Sequence, residues 1–231
     1  MAYKTSKETQ LRKDNKRKHI IKTAISIFSE RGYNGTTIKD IVKEADISTG
    51  TFYFYFKNKD DLFEIIYDDF IELLDKVSEF SLKNNIGIAK GFCRSKASEM
   101  WIFQNCKGAA KALMIEAAGF NPVFESKRFK ILKRSNEKIE KIFSGLKKMG
   151  LLSIADAKTC AVLCNGTMYS VIANWLQENN DKKLTDYILP IVIFNLNAFQ
   201  IEYNPNDLIN YINEMLNDMK NNFRSNNDFI D

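Results

Sequence analysis

The chain has 231 residues, with 34 Lys and Arg against 29 Asp and Glu, a formal net charge of +5 and 45% hydrophobic residues. It is too apolar for a disordered chain and long enough to bury a core as one large domain or two small ones, while ten Gly and three Pro argue against a many-stranded sandwich or barrel. The longest apolar run, Ile188 to Phe194, contains Pro190 and falls far short of the roughly 20 residues of a membrane span.

The charge is uneven along the chain. Residues 1–22 hold eight basic and two acidic side chains, whereas residues 23–60 are balanced. A basic end of this kind suits a polyanion, either nucleic acid or an anionic membrane, or is a solvated tail. Residues 1–22 contain no apolar stretch of the secretory type, so a cytoplasmic protein is expected.

From about Asn15 to Arg31, the residues Ile20, Ile21, Ala24, Ile25 and Phe28 form one apolar stripe of a helix that Gly32 stops. Thr37-Ile38-Lys39-Asp40 reads as a capping box opening a second helix, whose buried face is Ile38, Ile41, Val42 and Ala45 and whose end is Asp46. Ser48 caps a short third helix to Tyr55, and Asn58 caps a long fourth helix through Leu62, Phe63, Ile66, Phe70, Leu73 and Val77. Two short helices across a tight turn, braced by a longer one in front, predict a helix-turn-helix.

The run Ile47 to Phe63, ISTGTFYFYFKNKDDLF, resembles the recognition-helix signature of TetR-family transcriptional regulators. The preceding Phe28-x-x-x-Gly32-Tyr33-x-x-Thr36-Thr37-Ile38-x-x-Ile41 is similar to the first two helices of that family. The resemblance implies an all-α protein with a helix-turn-helix unit over residues 1–60 and a helical effector-binding and dimerisation domain over residues 61–231. Three positions depart from the pattern: Thr49 stands where Lys is common, Asp46 at the usual turn glycine, and Phe54 where His or another polar residue is common.

The third helix carries its own chemistry. Gly50 lets DNA approach the backbone, and the helix N-terminus offers unpaired N–H groups to a phosphate. Ser48, Thr49 and Thr51 present short hydroxyls, Tyr53 and Tyr55 phenols, and Lys59 matches the phosphate clamp of the family. Thr36 and Thr37 complete the expected DNA-binding set. Phe52 and Phe56, four apart, are expected to pack beneath the helix, Phe54 is ambiguous, and Lys4 to Lys13 form a candidate disordered arm for an adjacent groove.

Further helices are predicted over Ile86–Asn105, Cys106–Ala118 (stopped by Gly119), Asn121–Met149 (stopped by Gly150) and 155–178, the last opened by a capping box at Ser153. Leu184–Ile201 is apolar all round with a kink expected at Pro190, and Asp207–Phe223 is amphipathic. In TetR-like regulators the helices matching 155–178 and 184–201 pair with their copies, and the small residues Gly166, Ser170 and Ala173 would allow close approach in a homodimer. A cavity in this domain is the expected effector site, with Met100, Trp101, Phe103, Met114, Phe120, Phe124, Met168, Tyr169 and Trp175 as candidate lining and Gln104, Glu116 and Asn165 as polar contacts. That set suits an apolar or aromatic molecule.

Enzyme machinery is sparse. The single His19 excludes HExxH and His-based triads, and no GxGxxG or GxxxxGK[ST] loop occurs. Cys160 and Cys164 share a helix face but sit among apolar neighbours, where thiols behave as small hydrophobes. No catalytic residue, metal or cofactor is expected; the expected partners are a double-stranded palindromic operator, a small-molecule effector and a second copy of the chain, in a ligand-responsive repressor. Activation, effector-free architectural DNA binding and, more remotely, an all-helical enzyme are the alternatives.

Overall fold

The computed structural model describes residues 7–82, 87–116, 122–178 and 182–223, and these are helical with no strand among them. Helix α1 (Lys7–Arg31) is longer than its apolar stripe predicts. Its buried residues start at Ile20, so the N-terminal turns are held by local propensity rather than by packing. Residues 7–13 are therefore helix, not the expected disordered arm; residues 1–6 lie outside the described residues. Gly32 ends α1 at φ +74°, a left-handed conformation that costs glycine nothing.

Helix α2 (Ile38–Glu44) carries the predicted capping box: Asp40 N donates to Thr37 Oγ1 at 3.2 Å and Thr37 N donates to Asp40 Oδ2 at 2.8 Å. The Thr37 hydrogen bonds hold the Asp40 carboxyl below its usual range. The turn then runs through Asp46 at φ 48°, so the position does need a left-handed residue and Asp supplies it. Helix α3 (Thr49–Tyr55) is capped by Ser48, whose Oγ accepts from Thr51 N at 3.0 Å, and α4 (Lys59–Ser81) by Asn58.

The larger part of the molecule is built around α5 (Ile88–Asn105), which packs against α4 and against the last two helices. At Cys106 the chain bends into the short α6 (Lys107–Lys111) and a π turn, Ala112–Glu116, rather than one continuous helix. Helix α7 (Pro122–Lys148) starts at the proline, with Asn121 and Gly119 outside the described residues. It pairs with α8 (Ala157–Gln177). The cap of α8 is Asp156, accepting from Lys158 N and Thr159 N, so the capping box expected at Ser153 does not form. A carboxylate one residue before the helix reaches two amides at once, which Ser153 is too far back to do.

Leu184–Ile201 is also divided. A 3-10 turn, Leu184–Tyr187, leads into α9 (Ile188–Ala198), and α10 (Pro205–Phe223) closes the chain over α5. The break precedes Pro190, which thereby falls in the first turn of α9, where its missing N–H would have no helical partner. No internal kink is then required. One apolar cluster runs from Ile20 in α1 to Met219 in α10, joining the N-terminal helices to the rest.

Candidate nucleic-acid interface and effector cavity

The N-terminal helices fix α3 from beneath. Phe52 and Phe56 are fully buried, as their spacing predicts, and His19 Nε2 lies 3.1 Å from Ala45 O, tying α1 to the end of α2. The outer side of α3 is open. Thr49, Gly50, Tyr53 and Phe54 are exposed, Phe54 at 65%. A Cβ on Gly50 would meet only Ser48 Oγ at 3.8 Å, so nothing inside the molecule demands glycine there. Lys13 Nζ lies 5.4 Å from the centre of the Phe54 ring and the Arg17 guanidinium 5.8 Å from that of Phe56. The basic residues of α1 thus flank the open face of α3.

Not every expected contact faces outward. Thr36 is buried at 1% exposure, with its hydroxyl donating to Gly32 O at 2.8 Å, so it holds the loop and cannot reach DNA. Ser48 is exposed but shares a 2.8 Å hydroxyl hydrogen bond with the half-buried Thr51, and Tyr55 is half-buried with its ring against Phe54 and Phe56. Lys59 is half-buried and donates to Tyr33 O at 2.7 Å and Thr36 O at 2.8 Å, which makes it a clamp on the α1–α2 loop. Thr37 remains exposed beside them.

That loop is also where the two parts of the molecule meet. Tyr33 packs on Phe63 and on Phe124 of α7, at ring-centre distances of 4.9 and 5.5 Å, and its hydroxyl donates to Asp60. Lys127 of α7 binds Glu64 at 2.5 Å and Asp68 at 3.1 Å on α4, and those bonds outweigh its burial and raise its pKa. Gly108 of α6 sits against Ile25 and Ser29 of α1.

Between α4, α5, the π turn, α7 and α8 lies a cavity of about 170 Å³. Of the expected lining it brings together Phe103, Met114, Asn165, Met168 and Tyr169. The others go elsewhere. Met100 is solid core, and Phe124 belongs to the Tyr33 junction. Glu116 is only half-buried, near Lys111 at 3.7 Å and against Gly32. Trp175 closes the end of α8 through Nε1 donating to Lys182 O at 2.8 Å. Trp101 and Gln104 line a separate cleft of about 240 Å³, where Gln104 Oε1 accepts from Thr185 N and Oγ1. Phe120 lies outside the described residues.

Sequence reasoning passed over the charged residues of the cavity. Arg128, Arg134 and Lys138 border it; Arg134 and Lys138 bind Asp75 at 3.0 and 2.5 Å, and Arg128 binds Glu125 and the Tyr169 hydroxyl. Burial raises the pKa of the Tyr67 phenol on the opposite wall. The missed signal was positional: residues 128, 131, 135 and 138 recur at three- and four-residue steps along one side of α7. Among the described residues no group of three or more His, Cys, Asp or Glu is placed to hold a metal, and no helix is long and apolar enough to cross a membrane.

The family model described as bacterial regulatory proteins of the tetR family matches residues 20–66. An uncharacterised HTH-type transcriptional regulator of Bacillus subtilis, YuxN, is 49% identical over 47 residues, 20% of this chain and 16% of its own length. IcaR of Staphylococcus epidermidis, the negative transcriptional regulator of the biofilm operon icaADBC, is 39% identical over 59 residues, 24% of this chain and 32% of its own. The chain therefore spans less than a third of these two relatives. Among solved structures, the fatty acid degradation regulator FadR of Bacillus halodurans superposes with a TM-score of 0.70 at 19% identity, over 86% of this chain and 99% of that one. FadR of Bacillus subtilis, in complex with stearoyl-CoA, superposes with a TM-score of 0.66 at 19% identity, over 80% and 98%. At such identities the likeness concerns the fold. Residues 20–66 thus match the helix-turn-helix model of the tetR family, and they sit on an all-helical fold similar to that of the two FadR structures.

Proposed function

We propose that the protein is a dimeric, cytoplasmic, ligand-responsive repressor and not an enzyme. Residues 1–60 read a palindromic operator, and residues 61–231 bind an effector and the second copy. The observation that carries this reading is the open face of α3, with Thr49, Gly50 and Tyr53 exposed and Lys13 of α1 beside the neighbouring Phe54 ring. Phosphate contacts from Lys13, Arg17 and the third N–H of Lys59 would position the helix, while the hydroxyls, Tyr53 and Phe54 meet base edges and methyl groups.

A second copy is supported by the apolar surface that α8 and α9 leave uncovered. Val162 and Leu163 are 47% and 60% exposed, Phe194 is 60% exposed, and Gly166 and Ser170 lie open beside them. Two copies related by a two-fold axis would read half-sites roughly 34 Å or more apart.

The effector reading rests on the cavity. Its walls, α4 and α7, also hold the Tyr33–Phe63–Phe124 cluster and the Lys127 ion pairs, so a ligand that shifts α7 shifts the loop that carries α2 and α3. Moving the population from mostly bound to mostly released needs about 5.5 kcal/mol of differential affinity. The lining suits a small apolar or aromatic body. A second reading, an acyl-CoA, is favoured by the cations Arg128, Arg134 and Lys138 on the rim and by the stearoyl-CoA complex of the similar Bacillus subtilis regulator.

The test is a band shift with DNA from upstream of the protein's own gene. Specific, salt-sensitive binding that Tyr53→Ala weakens by about 1–3 kcal/mol supports the reading. Salt-insensitive binding, or none, refutes it.

A further inference from the structure

Glu99 of α5 borders the cavity, and its Oε2 is sealed from solvent with no hydrogen-bond partner among the described residues. A buried carboxyl oxygen normally finds a donor in the protein or in bound water or ligand. The surrounding groups do not supply one. Asn165 on the facing helix spends its amide on Ser135 and Asn136, and Lys138 and Arg134 are held by Asp75. Lys96 and Lys138 act on Glu99 only through space, and burial moves its pKa up.

Apart from Ser78 and the phenols of Tyr67 and Tyr169, the remaining walls are largely apolar and aromatic, including Phe70, Phe103, Met168 and Ile172. At about 170 Å³ the space is slightly larger than the roughly 150 Å³ apolar cavity that takes benzene. The charge around it separates the possible donors on a ligand. With Arg128 neutralised by Glu125, the cations Lys96, Arg134 and Lys138 still outnumber Asp75 and Glu99 around this carboxyl, so a ligand ammonium would enter a field already in cation excess. A hydroxyl carries no charge and suits either form of the carboxyl, donating to the carboxylate or exchanging hydrogen bonds with the acid.

From this geometry we infer that Glu99 is the specificity contact of the cavity, and that the cavity takes a neutral, hydroxyl-bearing apolar molecule of about one ring. The inference rests on the cavity being the effector site. It deepens that reading by naming the group that meets this orphaned oxygen.

Calorimetric titration of the full chain, without DNA, with p-cresol and its isostere p-xylene tests it. The wild type should bind p-cresol at least tenfold more tightly, and Glu99→Gln, which keeps an acceptor, should hold the preference within a few fold. Glu99→Leu should reverse the order, because the hydroxyl then enters an apolar wall unpaired. It removes the orphaned oxygen and is expected to fold, which its melting curve reports. Equal affinities, a preference that survives Glu99→Leu, tighter binding of 4-methylbenzylammonium, or binding of neither ring would overturn the inference. Release from DNA is a separate band-shift readout: cresol preference without release refutes the regulatory reading and leaves the site intact.

Discussion

Replacing Lys59 with Met tests whether the start of α4 holds the helix-turn-helix unit together. Lys59 donates to the carbonyls of Tyr33 and Thr36 and lies 4.1 Å from the centre of the Tyr33 ring. A hydrogen bond from a charged donor contributes about 1.5–3 kcal/mol, and a cation over an aromatic face about 0.5–2. Against these stands the cost of taking the ammonium partly out of water, which also lowers its pKa. Methionine keeps the apolar stem and leaves two carbonyls without their donor, so the net loss is about 2–4 kcal/mol. At roughly 3 °C per kcal/mol for a chain of this size, the thermal midpoint should fall by about 6–12 °C. Circular dichroism melting reads that loss. The salt dependence of operator binding gives an independent measure, since one lost phosphate contact lowers the slope of log K against log salt by about 0.9. An unchanged midpoint with weakened DNA binding would refute the clamp, and a lowered midpoint with the full slope would refute the phosphate contact.

Three further outcomes are expected. Asp46 sits at φ 48°, so Asp46→Gly should stabilise the fold by about 0.5–1 kcal/mol and Asp46→Val should destabilise it by about 1–2 in denaturant titration, with equal stabilities counting against a left-handed turn. Phe194→Glu should leave the melting of the single chain unchanged but halve the mass seen by sedimentation, and a persisting dimer would place the interface elsewhere. Burial holds the Glu99 pKa above its ordinary 4.5, so the folded state disfavours ionisation. Native stability from this group is then fully present below pH 4.5 and is lost as pH rises from 4.5 through the raised value. Glu99→Gln should remove that loss, making the variant the more stable protein at neutral pH; identical pH profiles would mean that the carboxyl is solvated.

The N-terminal unit was legible because its determinants are local. The Thr37–Asp40 box, the Ser48 and Asn58 caps, the Gly32 stop and the Phe52–Phe56 pair act within three or four residues, and each falls where the sequence places it. Local signals failed where competing neighbours decided. Asp156 displaced Ser153 as a cap, the chain broke ahead of Pro190 instead of kinking there, and α1 extended back to Lys7 without an apolar stripe.

Side-chain direction was the other limit. Residue type made Thr36 and Lys59 candidates for DNA, yet both turn toward the Gly32–Thr36 loop, because that loop has carbonyls that need donors. Five of the twelve proposed cavity residues line the cavity, and its cations and Glu99 come from helices far apart in sequence. The sequence by itself determined an all-helical chain with a helix-turn-helix near its basic end, since caps, stops and periodicity are properties of short segments. Only the tertiary structure decided which polar groups are spent on the protein's own backbone and which, like Glu99 Oε2, are left for something else, because that depends on the long-range packing of α4, α5, α7 and α8 around a shared space.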